Sequence, residues 1–168
     1  ESDWARTSPP GAGKDRGWLV LPEVGDEVLV AFQLGDLRKP IVLGGLYNGD
    51  DTAADAATEK LVDGTAGKVN RRSFVSRTGH RLVFVDDSSA SAVELVSDGK
   101  VLIRGKDDFT IESTDGELRI EAKNDITISS TGGDVSISGN KVSVSGTSSL
   151  KLDGGPEATI TGSMVKIN

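Results

Sequence analysis

The chain has 168 residues, of which 36% are hydrophobic, and this is enough for one ordinary domain or two small ones. Its net charge of −7 argues against a nucleic-acid partner, because binding to a phosphate backbone needs clustered Lys and Arg side chains. Without cysteine there is neither a disulfide framework nor a cysteine-ligated metal, and no apolar run approaches the ~20 residues that span a bilayer.

The first region, residues 1–49, predicts short β-strands. The stretch GWLVLPEVGDEVLVAF, residues 17–32, predicts a hairpin that turns at Gly25-Asp26. The stretch PIVLGGLYNG, residues 40–49, predicts a strand that ends in Asn48-Gly49, a dipeptide suited to turn positions with φ > 0. Strands and turn signals this close together are typical of a small barrel or meander.

The next regions differ in texture. Residues 50–70 are rich in Ala, Asp, Thr and Gly and predict a linker or loop, with TAADAATEKLV as the best helix candidate, although its apolar face is weak. Residues 71–92 predict further strands, which we name the neck. From residue 93 to residue 168 the β pattern repeats.

The repeat is a triplet of apolar, polar and apolar residues followed by a small turn. The second apolar members of successive triplets are seven to nine residues apart, and these are Leu95, Ile103, Ile111, Ile120, Ile128, Ile137, Val144, Leu152, Ile160 and Ile167. Residues i and i+2 of a strand face the same side, so each triplet points two apolar side chains one way. A glycine follows five of the triplets by two residues and predicts a sharp turn after it, since glycine tolerates tight turns, including left-handed ones: Gly105, Gly139, Gly146, Gly154 and Gly162.

An octad of this kind cannot bury its own apolar side, so neighbouring copies must cover it. One solution is a single-chain β-solenoid, which needs a coil of several octads and a longer period that the sequence does not show. The other is three chains wound together, with the ten second members meeting at a threefold axis as the trimer core. The few aromatic residues, 4% of the chain, suit such a narrow prism. We expect the homotrimer.

Several blocks resemble a known family. VGDEVLVAFQLGDLRKPIVLGGLYNG, extended upstream by WARTSPPGAGKDRGWLVLPE, resembles the oligonucleotide/oligosaccharide-binding (OB) barrel of the VgrG family and of the central spikes of contractile phage tails. NRRSFVSRTGHRLVFVDD resembles the neck that follows, and the octads resemble the family's triple-stranded β-helix. The resemblance implies an all-β fold, a partial OB-fold barrel followed by an intertwined homotrimeric needle. Leu37 stands where the family usually has proline.

The resemblance also implies a mechanical function without enzymatic chemistry or a cofactor. The spike of a type VI secretion system or extracellular contractile injection system punctures a target envelope and touches the target membrane transiently. Such a spike assembles in the bacterial cytoplasm and becomes part of a secreted or extracellular phage tail-like particle. The resemblance starts just before Trp4, so we expect an N-terminally incomplete barrel and tube or baseplate hub contacts through preceding domains.

The last octad is the candidate platform for a separate tip protein, which the resemblance implies to be a PAAR-type protein, with effectors attached to either. Its residues are Met164, Val165, Lys166, Ile167 and Asn168. A frayed terminus is the other interpretation of the same residues. The alternative function for the whole chain is a β-solenoid adhesin or a carbohydrate- or metal-binding module.

Other polar residues have structural interpretations. His80, the only histidine, has no catalytic motif around it and is interpreted as a structural residue at the start of a strand. The pairs Asp50/Asp51, Asp86/Asp87 and Asp107/Asp108 are interpreted as turn residues rather than as calcium or glycosidase sites. A nucleic-acid surface of Trp4, Trp18, Phe32 and Tyr47 with Arg16, Arg38 and Lys39 is disfavoured by the overall acidity.

Overall fold

The computed structural model describes residues 4–54 and 60–166, and over those residues the fold is all-β, as predicted. Its only helical element there is a 3-10 turn at Gln33–Gly35. The strands are β1 (Arg6–Thr7), β2 (Ala12–Gly13), β3 (Arg16–Gly17), β4 (Val28–Phe32), β5 (Pro40–Gly45), β6 (Arg71–Val75), β7 (Arg81–Val85) and β8 (Ala92–Val96). The chain divides into two units, residues 1–107 and 108–168, and all of these strands belong to the first. The helix candidate at residues 52–62 lies partly outside the described residues.

The first sheet has the strand order β1-β5-β4. The strand predicted at residues 27–32 is confirmed as β4, and the one predicted within residues 40–49 is confirmed as β5, which ends at Gly45. The two strands pair antiparallel with Val30 opposite Val42. The register shifts between Leu29 and Val30, and β1 adds to the other edge of β5 in parallel. No side chain of this small sheet is fully buried; Val30 and Val42 are half-buried, and Leu43 is exposed.

The predicted hairpin over residues 17–32 is wrong, because β4 pairs with β5 and residues 18–24 form no strand. Pro22 in that stretch has no N–H to donate to a ladder. The predicted turn is present: the Asp26 N–H donates to the Glu23 carbonyl at 3.2 Å, and Gly25 has a φ of 108°. Gly17 instead ends the short β2–β3 hairpin.

Asn48 makes its turn in a different way from the one predicted. Neither Asn48 nor Gly49 has a positive φ. Instead, the Asn48 side-chain oxygen accepts the N–H groups of Asp50 and Asp51 at 2.8 and 2.6 Å. A short polar side chain here replaces a backbone partner, which is the usual way asparagine stabilises a turn.

The neck strands β6 and β7 form an antiparallel meander with β8, in the order β6-β7-β8, and this neck sheet extends past the predicted boundary at residue 92 to Val96. Each neighbouring pair of strands is in register over its whole length, with Arg71 opposite Val85 and Val85 opposite Ala92. Val83 in the central strand is the one fully buried hydrophobic residue in the described part of the chain. On the same face, the Arg71 guanidinium lies 3.5 Å from the Glu94 carboxylate and thus joins the two outer strands.

Candidate assembly surface

The octad repeat is visible in the backbone. The chain bends or turns at residues 98–99, 106–107, 114–116, 123–124, 131–133, 140, 147–148, 155–156 and 163. These bends fall between successive apolar triplets, and they recur about every eight residues. The backbone therefore repeats with the period that the apolar residues show.

Glycine serves these corners by its small size. None of the five glycines that follow triplets has a positive φ, so none of them uses the left-handed conformation that glycine tolerates. A Cβ on Gly146 would lie 2.2 Å from the Ser149 carbonyl oxygen, and one on Gly154 would lie 2.1 Å from the Glu157 carbonyl oxygen. The backbone folds back so closely at these two corners that no side chain fits.

The apolar side chains of the repeat are uncovered in a single chain. Every residue from 98 to 166 is exposed, and both members of a triplet remain open, with Val135 at 53% and Ile137 at 73%. From Val101 to Leu152 the second member of each triplet is more exposed than the first. Apolar surface of this extent marks an interaction surface.

The backbone of the repeat is also unpaired within the chain. From residue 100 to residue 166, a stretch described throughout, one backbone–backbone hydrogen bond forms, from the Glu157 N–H to the Gly154 carbonyl at 3.2 Å. A folded protein makes roughly one internal hydrogen bond per residue, about two-thirds of them between backbone groups. The N–H and C=O groups of this segment are therefore available to other chains.

The exposed area of the whole chain also indicates a surface that other chains cover. The chain exposes 16165 Å². A folded monomer of 17.5 kDa is expected to expose about 7,900 Å². The excess is far above the ~800 Å² that each partner buries in a standard interface.

The residues predicted for the trimer core occupy this uncovered surface, except Ile167, which lies outside the described residues. Their assignment to a core stays a prediction. In the candidate tip platform, Met164 and Val165 are exposed at 75% and 50%, Lys166 is exposed, and Ile167 and Asn168 lie outside the described residues.

His80 has a partner that the sequence motifs did not reveal. Its Nδ1 lies 3.0 Å from the Ser97 hydroxyl oxygen, which also accepts the Gly99 N–H at 3.2 Å. The backbone N–H of His80 donates to the Ser76 hydroxyl oxygen at 3.2 Å across the β6–β7 turn. These contacts connect the start of β7 to the end of β8, which fits the structural interpretation. The sequence alone did not predict Ser97 as the partner of His80, because the two residues come together through the pairing of β7 with β8.

Two of the acidic pairs lie at turns with local partners. Asp86 pairs with Arg72. A hydrogen bond from the Ser89 hydroxyl, followed by one from the Ser89 N–H, holds the pKa of Asp87 below its ordinary value of 3.8. Asp50 and Asp51 belong to the Asn48 turn. Within residues 4–54 and 60–166, no three His, Cys, Asp or Glu side chains are grouped so that they could hold a metal ion.

The basic residues near the first sheet are engaged locally. Arg38 Nε lies 3.0 Å from Asp36, and Lys39 Nζ lies 4.0 Å from the same carboxylate. The hydrogen bonds from Arg38 hold the pKa of Asp36 below its usual value. The Asp36 carboxylate therefore offsets part of the positive charge that Arg38 and Lys39 would offer to a nucleic-acid backbone.

Comparison with known proteins shows which proteins the chain is similar to. Residues 1–47 match the model of the type VI secretion system/phage-baseplate injector OB domain. The type VI secretion system spike protein VgrG1c of Pseudomonas aeruginosa is 29% identical over 107 residues, which are 58% of this chain and 15% of that protein. The spike protein VgrG3 of Vibrio cholerae is 32% identical over 90 residues, which are 54% of this chain and 8% of that protein.

The chain is VgrG-like. The family resemblance predicted from the sequence is thus confirmed. A third relative, the spike protein VgrG1a of Pseudomonas aeruginosa, is 43% identical over 51 residues, 30% of this chain and 8% of that protein. This VgrG-like chain spans at most 15% of the length of these relatives. No helix within the described residues is long and apolar enough to cross a membrane.

Proposed function

We propose that the chain forms part of the structural spike of a contractile injection apparatus, as a homotrimeric needle that punctures a target cell envelope. The observation that carries this proposal is residues 98–166: they bend every eight residues, all are exposed, and they make almost no backbone hydrogen bonds within the chain. A repeat with both its apolar side chains and its backbone unpaired folds stably only against further copies of itself.

Three chains satisfy both requirements at once. Each octad supplies one strand to a layer, its apolar pair points to the threefold axis, and its backbone pairs with the neighbouring chains. Closed symmetry leaves no free edges along the needle and keeps the assembly finite. The ten second members from Leu95 to Ile167 form the core. The proposed domains are a partial OB-fold barrel at residues 1–49, a linker at 50–70, a neck at 71–92 and a triple-stranded β-helix at 93–168.

The needle acts by transmitting force. Contraction of a tube drives it forward, and resistance to unfolding depends on a high kinetic barrier. Backbone hydrogen bonds between chains in every layer supply that barrier, since many must break together before the needle opens. The names of the relatives as spike proteins support this role.

The partners follow from the same proposal. Residues 164–168 offer a platform for a PAAR-type tip protein or effectors at the C-terminal end. Tube and baseplate hub proteins are further partners of the spike. The spike is assembled in the bacterial cytoplasm as a component of a secretion apparatus or released particle, and it touches the target membrane only during injection.

The oligomeric state tests the proposal directly. Sedimentation velocity and light scattering on the 168-residue chain should give about three chain masses, independent of protein concentration over the micromolar range. A folded monomer that persists at those concentrations would contradict the spike function and would favour the β-solenoid adhesin.

A further inference from the structure

The neck and the repeat differ in what one chain can build alone. In the neck, β6 pairs with β7 and β7 pairs with β8 over five residue pairs each, all within the chain. In the repeat, residues 100–166 make one backbone–backbone hydrogen bond. Folding of the repeat thus requires other chains, whereas the three neck strands pair with one another within the chain.

The two faces of the neck sheet are covered unequally. The face of Val83 is the more covered one, because Val83 is fully buried and Arg81 and Val85 beside it in β7 are half-buried. The opposite face, which we name the neck apolar face, consists of Phe74, Leu82, Phe84, Val93 and Leu95. Phe74 lies opposite Leu82, and Leu82 lies opposite Leu95, so these side chains form a continuous patch. All five are exposed beyond a third, with Leu82 least open at 37%.

Polar pairs close both ends of the neck apolar face. At one end Arg72 forms an ion pair with Asp86, and at the other His80 is hydrogen-bonded to Ser97. The cation and the anion of the first pair cancel, so the face carries little net charge although the chain carries −7. Copies of this face can meet without the repulsion that the rest of the acidic surface would produce, and an apolar centre with a satisfied polar rim is typical of interfaces.

The neck apolar face continues into the repeat. Leu95 belongs to the face and is also the first of the second members, eight residues before Ile103. The register that three copies adopt at Leu95 therefore fixes the register of every later octad. A slip in register is otherwise inexpensive in a repeat of near-identical short strands.

We propose that the neck apolar face is the site at which three copies of this chain first associate, and that the needle then forms from Leu95 towards the C-terminus. The inference rests on the proposed homotrimer and adds its order of assembly. The sheet folds first because its contacts are local in sequence. The octads fold afterwards, since each needs the matching strands of the other two chains in its own layer.

Refolding kinetics of the full chain test this order. The matched variants are Leu82→Ala in the neck apolar face and Leu152→Ala in the repeat, which remove the same atoms. Leu82→Ala should slow the concentration-dependent association phase about tenfold, while Leu152→Ala should leave that phase within about twofold and speed dissociation instead. A larger slowing of association by Leu152→Ala would overturn the proposed order.

Pulsed hydrogen exchange on the unsubstituted chain gives an independent measurement, which decides the matter if Leu82→Ala does not fold. Amides of residues 71–96 should become protected before those of residues 100–166. Protection of the repeat first, or of both together, would contradict the inference while the trimer itself stood. A wild-type chain that refolds as a monomer would instead contradict the proposed function.

Assembly of Leu82→Ala at the wild-type rate would also overturn the inference, because it would mean that the three copies do not first associate through the neck apolar face. A different protein could then bind that face. The refolded mass must be measured for each variant, so that a change in rate is assigned to trimer formation and not to aggregation.

Discussion

The Ser97 hydroxyl oxygen lies 3.0 Å from His80 Nδ1, so the residue after β8 is bound to the residue before β7. Ser97 also accepts the Gly99 N–H, which directs the chain into its first octad bend at residues 98–99. The contact therefore fixes the end of β8 to the start of β7 at the point in the chain where the repeat begins.

Replacing Ser97→Ala should loosen this end of the sheet. A net hydrogen bond contributes about 1 kcal/mol, so the nearby β7 and β8 amides should exchange about fivefold faster in native-state hydrogen exchange. Ser89→Ala, in the turn at the opposite end of the same strands, is the control and should leave those amides unchanged. Equal effects of the two variants would mean that the contact has no local role.

In the proposed needle, inward-facing and outward-facing positions should respond differently to an introduced charge. Ile137→Asp would place three carboxylates around one axis in a dry layer, and an unpaired buried charge is costly, so the trimer should fail to assemble or melt far earlier. Ser136→Asp, one residue away and facing outward, should shift the melting temperature by only a few degrees, since surface substitutions usually change stability by less than about 0.5 kcal/mol. Thermal unfolding followed by circular dichroism compares the two. Similar melting temperatures would mean that the assignment of faces is wrong.

The glycine corners predict a steric effect. In Gly154→Ala the new Cβ would meet the Glu157 carbonyl oxygen at 2.1 Å, so the corner must open. The expected loss is about 1–3 kcal/mol for each chain, measured by denaturant unfolding. Gly132→Ala is the matched control, because its Cβ would have nothing within 4 Å, and its stability should be unchanged or slightly raised. The prediction fails if the two alanine variants unfold at the same denaturant concentration.

The lowered pKa of Asp87 predicts that the stability of the neck decreases at acidic pH. This pKa is held below 3.8 by the Ser89 hydroxyl and then by the Ser89 N–H, because both bonds favour the carboxylate. The resulting stabilisation is present above pH 3.8 and is lost as the pH falls through the lowered pKa.

Carbon-detected NMR titration should therefore show the pKa of Asp87 rising towards 3.8 in Ser89→Ala. The pKa of Asp153 should not change, because the Gly155 N–H and Lys151 lower it independently. An unchanged Asp87 titration in Ser89→Ala would assign its low pKa to another group.

The candidate tip platform predicts a separation of folding from binding. Deleting residues 164–168 removes one octad of ten and should leave the trimer assembled with nearly the same melting temperature. Binding of a PAAR-type tip protein should be lost, as measured by calorimetry on the trimer. Deletion of residues 1–5, at the opposite terminus, is the control and should leave binding intact. Binding retained without residues 164–168 would place the platform elsewhere.

Local features could be predicted from the sequence because they depend on neighbouring residues. The octad period reappears in the bends, and the strands over residues 28–32 and 40–45 appear where β-branched runs predict them. The family blocks also follow from residue order alone. Each of these depends on interactions over a few residues, which leave a visible pattern in the chain.

Strand partners and buried faces were decided only by the tertiary structure. From the sequence, residues 17–21 are as plausible a partner for β4 as residues 40–45 are. Only the tertiary structure shows that β4 pairs with β5. In β7, the stretch RLVFV is apolar on both sides, yet Val83 is buried whereas Phe84 on the other face is 46% exposed. The physical reason is that ladder hydrogen bonds and packing join residues far apart in sequence, and a strand that is apolar on both faces carries no local information about which one is covered.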